Sequence, residues 1–154
     1  MNPASAPDQF CQIQIKRQFS APPERVFAAF SQASSLEQWL RPNKLTTMEL
    51  QEFDFQVGGR YRATFNHTDT GERHTVTGIY QEISPPSRLV YSWLWENHPE
   101  AGSSETQIII EIQPSADGTE LTLTQTGLLN QEIADKHHVG FSGALELLGE
   151  SLTS

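Results

Sequence analysis

Cysteine is nearly absent from this chain: Cys11 is the only one in 154 residues. A lone thiol excludes an internal disulfide and any multi-cysteine metal site. Long apolar runs are missing as well, and nothing approaches the ~20 consecutive apolar residues that span a bilayer. Positive charge is scarce, with 10 Lys and Arg against 19 Asp and Glu and a net charge of −9. A phosphate backbone needs a cationic face, so this balance argues against nucleic acid as a partner, and against anionic membranes for the same reason. Met1 to Gln9 has no basic start and no apolar stretch, so it does not read as a secretory signal. Residues 1–10 read as a flexible leader, 11–154 as a single domain, and the whole as a cytoplasmic protein. Neither a nucleophile elbow nor a dinucleotide fingerprint occurs. Gly58-Gly59 lacks the following lysine and helix that a phosphate cradle requires, and is a turn.

What the chain does have is alternation. Ile13, Ile15 and Phe19 alternate with Gln12, Gln14, Lys16 and Gln18, the period of a half-buried strand, and Arg17 interrupts the apolar face. Ser20-Ala21-Pro22-Pro23-Glu24 is a helix start, because proline costs nothing in the first turn and Glu24 suits its positive end. Val26, Phe27 and Phe30 form the stripe of that helix. A second short helix, capped at Ser34 or Ser35, carries Leu36, Trp39 and Leu40 inward and stops before Pro42.

Six strand-like runs follow. They cover Thr46 to Phe55, Arg60 to His67, Arg73 to Ile83, then the sets Leu89/Tyr91/Trp93/Trp95, Ile108/Ile110/Ile112 and Leu121/Leu123/Gln125. Gly58-Gly59, Asp69 to Glu72, Ser84 to Ser87, a loop from Asn97 to Ser104 and Asp117-Gly118 separate them. Gly78 points to a bulge or a close approach by another element, and the facing of its strand is ambiguous. From Asn130 the period changes: Ile133, His137, Phe141, Ala144, Leu145, Leu148 and Leu152 recur at three- and four-residue steps, one face of a long helix. Gly140 and Gly143 each weaken that helix by about 1 kcal/mol relative to alanine, and beside Phe141 they would let it approach the sheet.

This order predicts an α+β, helix-grip fold: a curved antiparallel sheet of about six to seven strands, two short helices, and a long C-terminal helix enclosing a cavity. Tyr61, Phe65, Tyr91, Trp93 and Trp95 project onto the concave face opposite Phe141. So much aromatic surface against one helix suits a pocket lining, because Trp and Tyr bring donors into an apolar wall; the plainer alternative is core packing. Trp39 and Tyr80 join the candidate lining, and Gln125 and His67 share the inward parity. Arg17 either snorkels to water or stands at the cavity wall as a cation for a ligand carboxylate. His137 lies on the buried helix face, with His138 about 100° away, so the pair cannot readily share a metal. No His-x-x-x-His spacing occurs, and neither a metal nor a cofactor is expected.

Phe19-Ser20-Ala21-Pro22-Pro23-Glu24-Arg25-Val26-Phe27, the Trp39 helix, Val57-Gly58-Gly59-Arg60-Tyr61-Arg62, the stretch from Gly78 to Trp93 and Gly118-Thr119-Glu120-Leu121-Thr122-Leu123-Thr124 occur in that order. Together they resemble homologues of the activator of the heat-shock-protein-ninety ATPase, within the START and birch-pollen-allergen (SRPBCC) superfamily, over Cys11 to Leu152. The resemblance implies the helix-grip fold, and it implies a chaperone as an alternative partner, with a place in the stress response. Two departures stand out. The full co-chaperone carries a separate N-terminal domain for which this chain has no room. The family's terminal helix often shows His-x-x-Gly-Trp, where this chain has His137-His138-Val139-Gly140-Phe141.

The leading expectation is a small soluble protein, monomer or weak homodimer, binding an apolar or amphipathic small molecule between sheet and terminal helix. A chaperone-ATPase-activator-like interaction protein is the second reading. The third is a cavity enzyme of cyclase or hydrolase type using His137, Glu82 and Arg17, around which no supporting constellation is visible, so a binder is preferred to an enzyme.

Overall fold

Alternation over Cys11–Phe19 makes β1, and the proline-started segment makes α1, Pro23–Ser31. A second helix, α2, covers Ala33–Trp39. The strands β2 (Thr46–Phe53), β3 (Arg60–His67), β4 (Arg73–Ser84), β5 (Arg88–Trp95), β6 (Thr106–Ser115) and β7 (Gly118–Leu128) follow, and α3 spans Gln131–Thr153. These elements come from a computed structural model that describes residues 10–98 and 104–153. The leader expected over 1–10, apart from Phe10, and most of the Asn97–Ser104 loop lie outside the described residues.

The strands form one antiparallel sheet in the order β1-β7-β6-β5-β4-β3-β2. Ile13, Ile15, Tyr61, Phe65, Leu89, Tyr91, Trp93, Ile108, Ile110, Leu121 and Leu123 are buried on its concave face. Facing them, α3 contributes Ile133, Ala134, His137, Phe141, Ala144, Leu145, Leu148 and Leu152. Helix α3 packs mainly along β1 and against α2. This is the helix-grip arrangement that the alternation predicts. The convex face is polar, with a Thr64–Thr75 hydroxyl pair at 3.0 Å and ion pairs from Arg62 to Glu96 and from Arg88 to Glu82 and Glu111.

Three details differ from the sequence expectation, and the alternatives left open at Gly78 are resolved. Strand β2 stops at Phe53, because Asp54 begins the tight turn in which its carbonyl accepts from the Gln56 N–H at 2.9 Å. Neither Ser34 nor Ser35 caps α2: Gln32, in extended conformation, ends α1 and starts α2 with no side-chain cap. Gly78 marks a close approach, since a Cβ there would lie 2.1 Å from the Ser92 carbonyl oxygen. The bulge of β4 falls later, between Tyr80 and Glu82, and this slip is what obscures the parity of the strand. Gly143 admits the segment after α2 rather than the sheet: its Cβ would meet the Pro42 carbonyl oxygen at 1.9 Å.

Candidate functional site: an aromatic cleft beneath the terminal helix

Period-two alternation along β5 puts Trp93 and Trp95 on the same face, their rings edge-to-face at 5.5 Å between centroids. Phe65 of β3 stands 6.3 Å from Trp93 and 5.7 Å from Trp95. From the opposite side the helical repeat of α3 lowers Phe141 to within 5.1 Å of the Trp93 ring, again edge-on. These rings wall a cavity of about 150 Å³. The remaining lining is Leu40, Arg41 and Pro42 after α2, His67, His98, and Lys136, His137, Gly140 and Ala144 along α3. An engineered apolar cavity of about this volume admits benzene, which sets the scale of a guest at roughly one aromatic ring.

His137 is the polar group set deepest in this wall, and its two nitrogens are both engaged. The Trp95 indole N–H donates to its Nε2 at 2.9 Å, and the Ile133 carbonyl lies 2.9 Å from its Nδ1. An indole nitrogen only donates, so Nε2 must be bare and Nδ1 must carry the proton. Burial lowers the proton affinity of His137 below its ordinary value, and the bond to Ile133 offsets this only in part. The imidazole is therefore neutral at pH 7 and cannot act as a base without giving up Trp95. Around the same indole, the centroid of His98 lies at 4.9 Å and that of His74 at 6.4 Å. His74 stacks on His98 at 3.9 Å, and His67 holds Thr46 Oγ1 at 3.1 Å. Among the described residues no three His, Cys, Asp or Glu converge in a way that could hold a metal ion.

Behind Trp93 and Leu40 lies a smaller void of about 20 Å³, bordered by Tyr61, Tyr80 and Tyr91. Burial raises the pKa of all three phenols well above the ordinary tyrosine value, so they stay protonated. Tyr61 donates to the Ser92 carbonyl, which fixes its ring against Gly78.

The same arrangement of a long helix over a curved sheet recurs in solved structures. Protein CV1439 from Chromobacterium violaceum is 28% identical with a TM-score of 0.83, over 90% of this chain and 94% of its own. The Mll3558 protein from Rhizobium loti is 29% identical with a TM-score of 0.76, over 92% and 96%. The AHSA1 protein from Silicibacter pomeroyi, at 23% identity and a TM-score of 0.81 over 93% and 98%, shares the fold. No functionally curated protein matches the chain. Residues 20–153 match the family described as Activator of Hsp90 ATPase homolog 1-like protein. The chain belongs to that family.

Within this activator-homologue fold the expected site residues divide into groups. Phe65, Trp93, Trp95, His137 and Phe141 meet at the larger cavity, and His67 joins them. Tyr61, Tyr80 and Tyr91 line the inner void instead. Trp39 lies outside both linings, fully buried with its Nε1 donating to the Ala29 carbonyl at 3.0 Å. Gln125 is buried too, donating to Thr106 Oγ1 at 2.9 Å while its Oε1 takes no partner. Arg17 does not reach the cavity: its Nη1 donates to the Lys16 carbonyl at 3.0 Å at an exposed position. Glu82 is held by Arg88 and Ser84, so the three candidate acid–base groups do not converge.

Sequence reasoning missed Arg41, Pro42, His98 and Lys136. Pro42 gave a signal, as the end of a helix, but the period of that helix does not reveal that the segment after it folds under α3.

Proposed function

We propose that this protein binds one small apolar or amphipathic molecule, about the size of a single aromatic ring, in the cleft between sheet and α3. The observation that carries the reading is the cavity of about 150 Å³ walled by Phe65, Trp93, Trp95 and Phe141. Burying a ring's worth of apolar surface, roughly 200 Å², is worth about 5 kcal/mol at ~25 cal/mol per Å². Association entropy offsets part of that, which puts a purely apolar guest in the range of about millimolar. Polar groups at the rim then set orientation. Family membership alone does not carry the chaperone-activating role, because one fold hosts many functions.

Titration with indole, toluene and benzyl alcohol, followed by amide chemical shifts, tests the reading. Shifts should concentrate on β5 and the Lys136–Ala144 turn region of α3. Ala144 is buried and faces the cavity, so Ala144→Leu should fill it and abolish those shifts in a protein that still folds. Absence of localised shifts in the wild type, or their persistence in Ala144→Leu, would remove the cleft as the site.

A further inference from the structure

Among the described residues, the walls of the cleft carry no carboxylate. Its lining includes two permanent cations, Arg41 and Lys136, in a chain where acids outnumber Lys and Arg by 19 to 10. Arg41 is held in place. Its Nε donates to the Gln38 carbonyl at 3.1 Å and its Nη1 to the Thr46 carbonyl at 3.1 Å. Both acceptors are neutral, so they orient the guanidinium without cancelling its charge. Among the described residues no carboxylate pairs with it, whereas Arg62 and Arg88 both sit against glutamates at 2.9–3.1 Å. A guanidinium offers five N–H donors in a planar fork, and two of Arg41's are used in this way. The others suit a planar, two-oxygen anion better than a lone charge would.

Immediately beside this cation lies the ring-sized aromatic chamber. Leu40, next in the chain, lines the chamber itself, and Pro42 packs against α3 at Gly143, so the segment carrying Arg41 is pinned at both ends. We infer that the guest is a small aromatic carboxylic acid, its ring among Phe65, Trp93 and Phe141 and its carboxylate on Arg41 at the mouth. This inference rests on the cleft being a binding site and specifies what enters it. Arg41 takes the part of the anion-recognising group, and among the described lining residues no carboxylate stands beside it to oppose an anion.

Phenylacetate and its neutral isostere phenylacetamide distinguish the possibilities in the intact chain by amide-shift titration at pH 7.5. At low salt the wild type should prefer the carboxylate by about tenfold or more, the scale of one charge-assisted hydrogen-bonded contact. The preference should shrink as ionic strength rises from about 0.01 M to about 1 M, where the screening length falls from ~30 to ~3 Å. Arg41→Met should bring the two affinities to within about twofold, and Arg41→Lys, which keeps the charge and loses the fork, should leave an intermediate preference. Should Arg41→Met not fold, Arg41→Lys and the salt dependence of the wild type still decide. Equal binding of both probes by the wild type, or a preference that survives Arg41→Met or high salt, overturns the inference and leaves the cleft as a neutral-ring site. Binding of neither probe overturns the cleft reading as well.

Discussion

Replacing Gly140 or Gly143 with alanine makes the same chemical change on the same helix, and the two variants should move stability in opposite directions. Each removes a glycine from a helix interior, a gain of about 0.8–1 kcal/mol in propensity. At Gly140 the new methyl meets only the Pro42 Cβ at 3.9 Å, an ordinary contact, so the gain is kept. At Gly143 the methyl would lie 1.9 Å from the Pro42 carbonyl oxygen and 3.0 Å from its carbon. Both are backbone atoms of a short, pinned segment, and neither can rotate aside. Relief requires moving the segment or the helix by more than 1 Å, which places the cost at the upper end of the ~1–3 kcal/mol typical of overpacking. The expected outcome is a gain of about 0.5–1 kcal/mol for Gly140→Ala and a net loss of about 2 kcal/mol for Gly143→Ala. Urea unfolding at constant m-value measures both, and thermal midpoints should shift by about 2–4 °C per kcal/mol for a chain of this size. A Gly143→Ala protein as stable as the wild type would show that α3 and Pro42 do not meet as described.

Three further outcomes follow from the same geometry. Because burial holds the proton affinity of His137 below the ordinary value of 6.5, the unfolded chain takes up that proton first as pH falls. Its contribution is therefore complete above about pH 6.5 and drains away below it, so the wild type should lose unfolding free energy between pH 8 and pH 5 more steeply than His137→Gln; parallel slopes would refute the neutral assignment. Gly78→Ala should lose about 1–3 kcal/mol in chemical denaturation, since its Cβ would strike a sheet carbonyl at 2.1 Å and a Tyr61 ring tethered to that same carbonyl. Trp39→Phe should cost about 1–3 kcal/mol by stranding the Ala29 carbonyl, yet leave phenylacetate titrations unchanged, because Trp39 touches neither cavity.

Periodicity made most of the architecture legible. Period two identified which residues of β3, β5, β6 and β7 face inward, and the switch to helical spacing at Asn130 located α3 to within a residue. What it could not supply was depth. Tyr61, Tyr91 and Trp93 share a face with equal right, and only the closeness of sheet to α1 and α2 at one end assigns the tyrosines to a nearly filled core and the tryptophans to an open cleft. Gln125 illustrates the same limit, since inward parity does not distinguish a cavity wall from a closed interior. Arg17 obeyed its strand parity at Cα while its long stem carried the charge to the surface, which no alternation rule anticipates. Arg41 was invisible for the opposite reason: it lies in a segment without periodicity, and what places it is the tertiary contact of Pro42 with Gly143.

The pairing of β1 with β7 also bears on how the chain reaches this state. Six strands, β2 to β7, form five successive antiparallel pairings across short sequence separations and can zip locally. Strand β1 has no neighbour until Cys11 meets Leu128 and Phe19 meets Thr119. Closing a loop of about a hundred residues is entropically slow, and such long-range ladders dominate folding time. During synthesis β1 emerges before the other strands of the sheet, and its partner β7 emerges last among them. Its alternating Gln12, Gln14, Lys16 and Gln18 on the convex face keep that waiting strand polar on one side, which limits its appeal to other unpaired edges. Helix α3, which roofs the cleft, packs mainly along β1, so late pairing of β1 is expected to delay the seating of that roof.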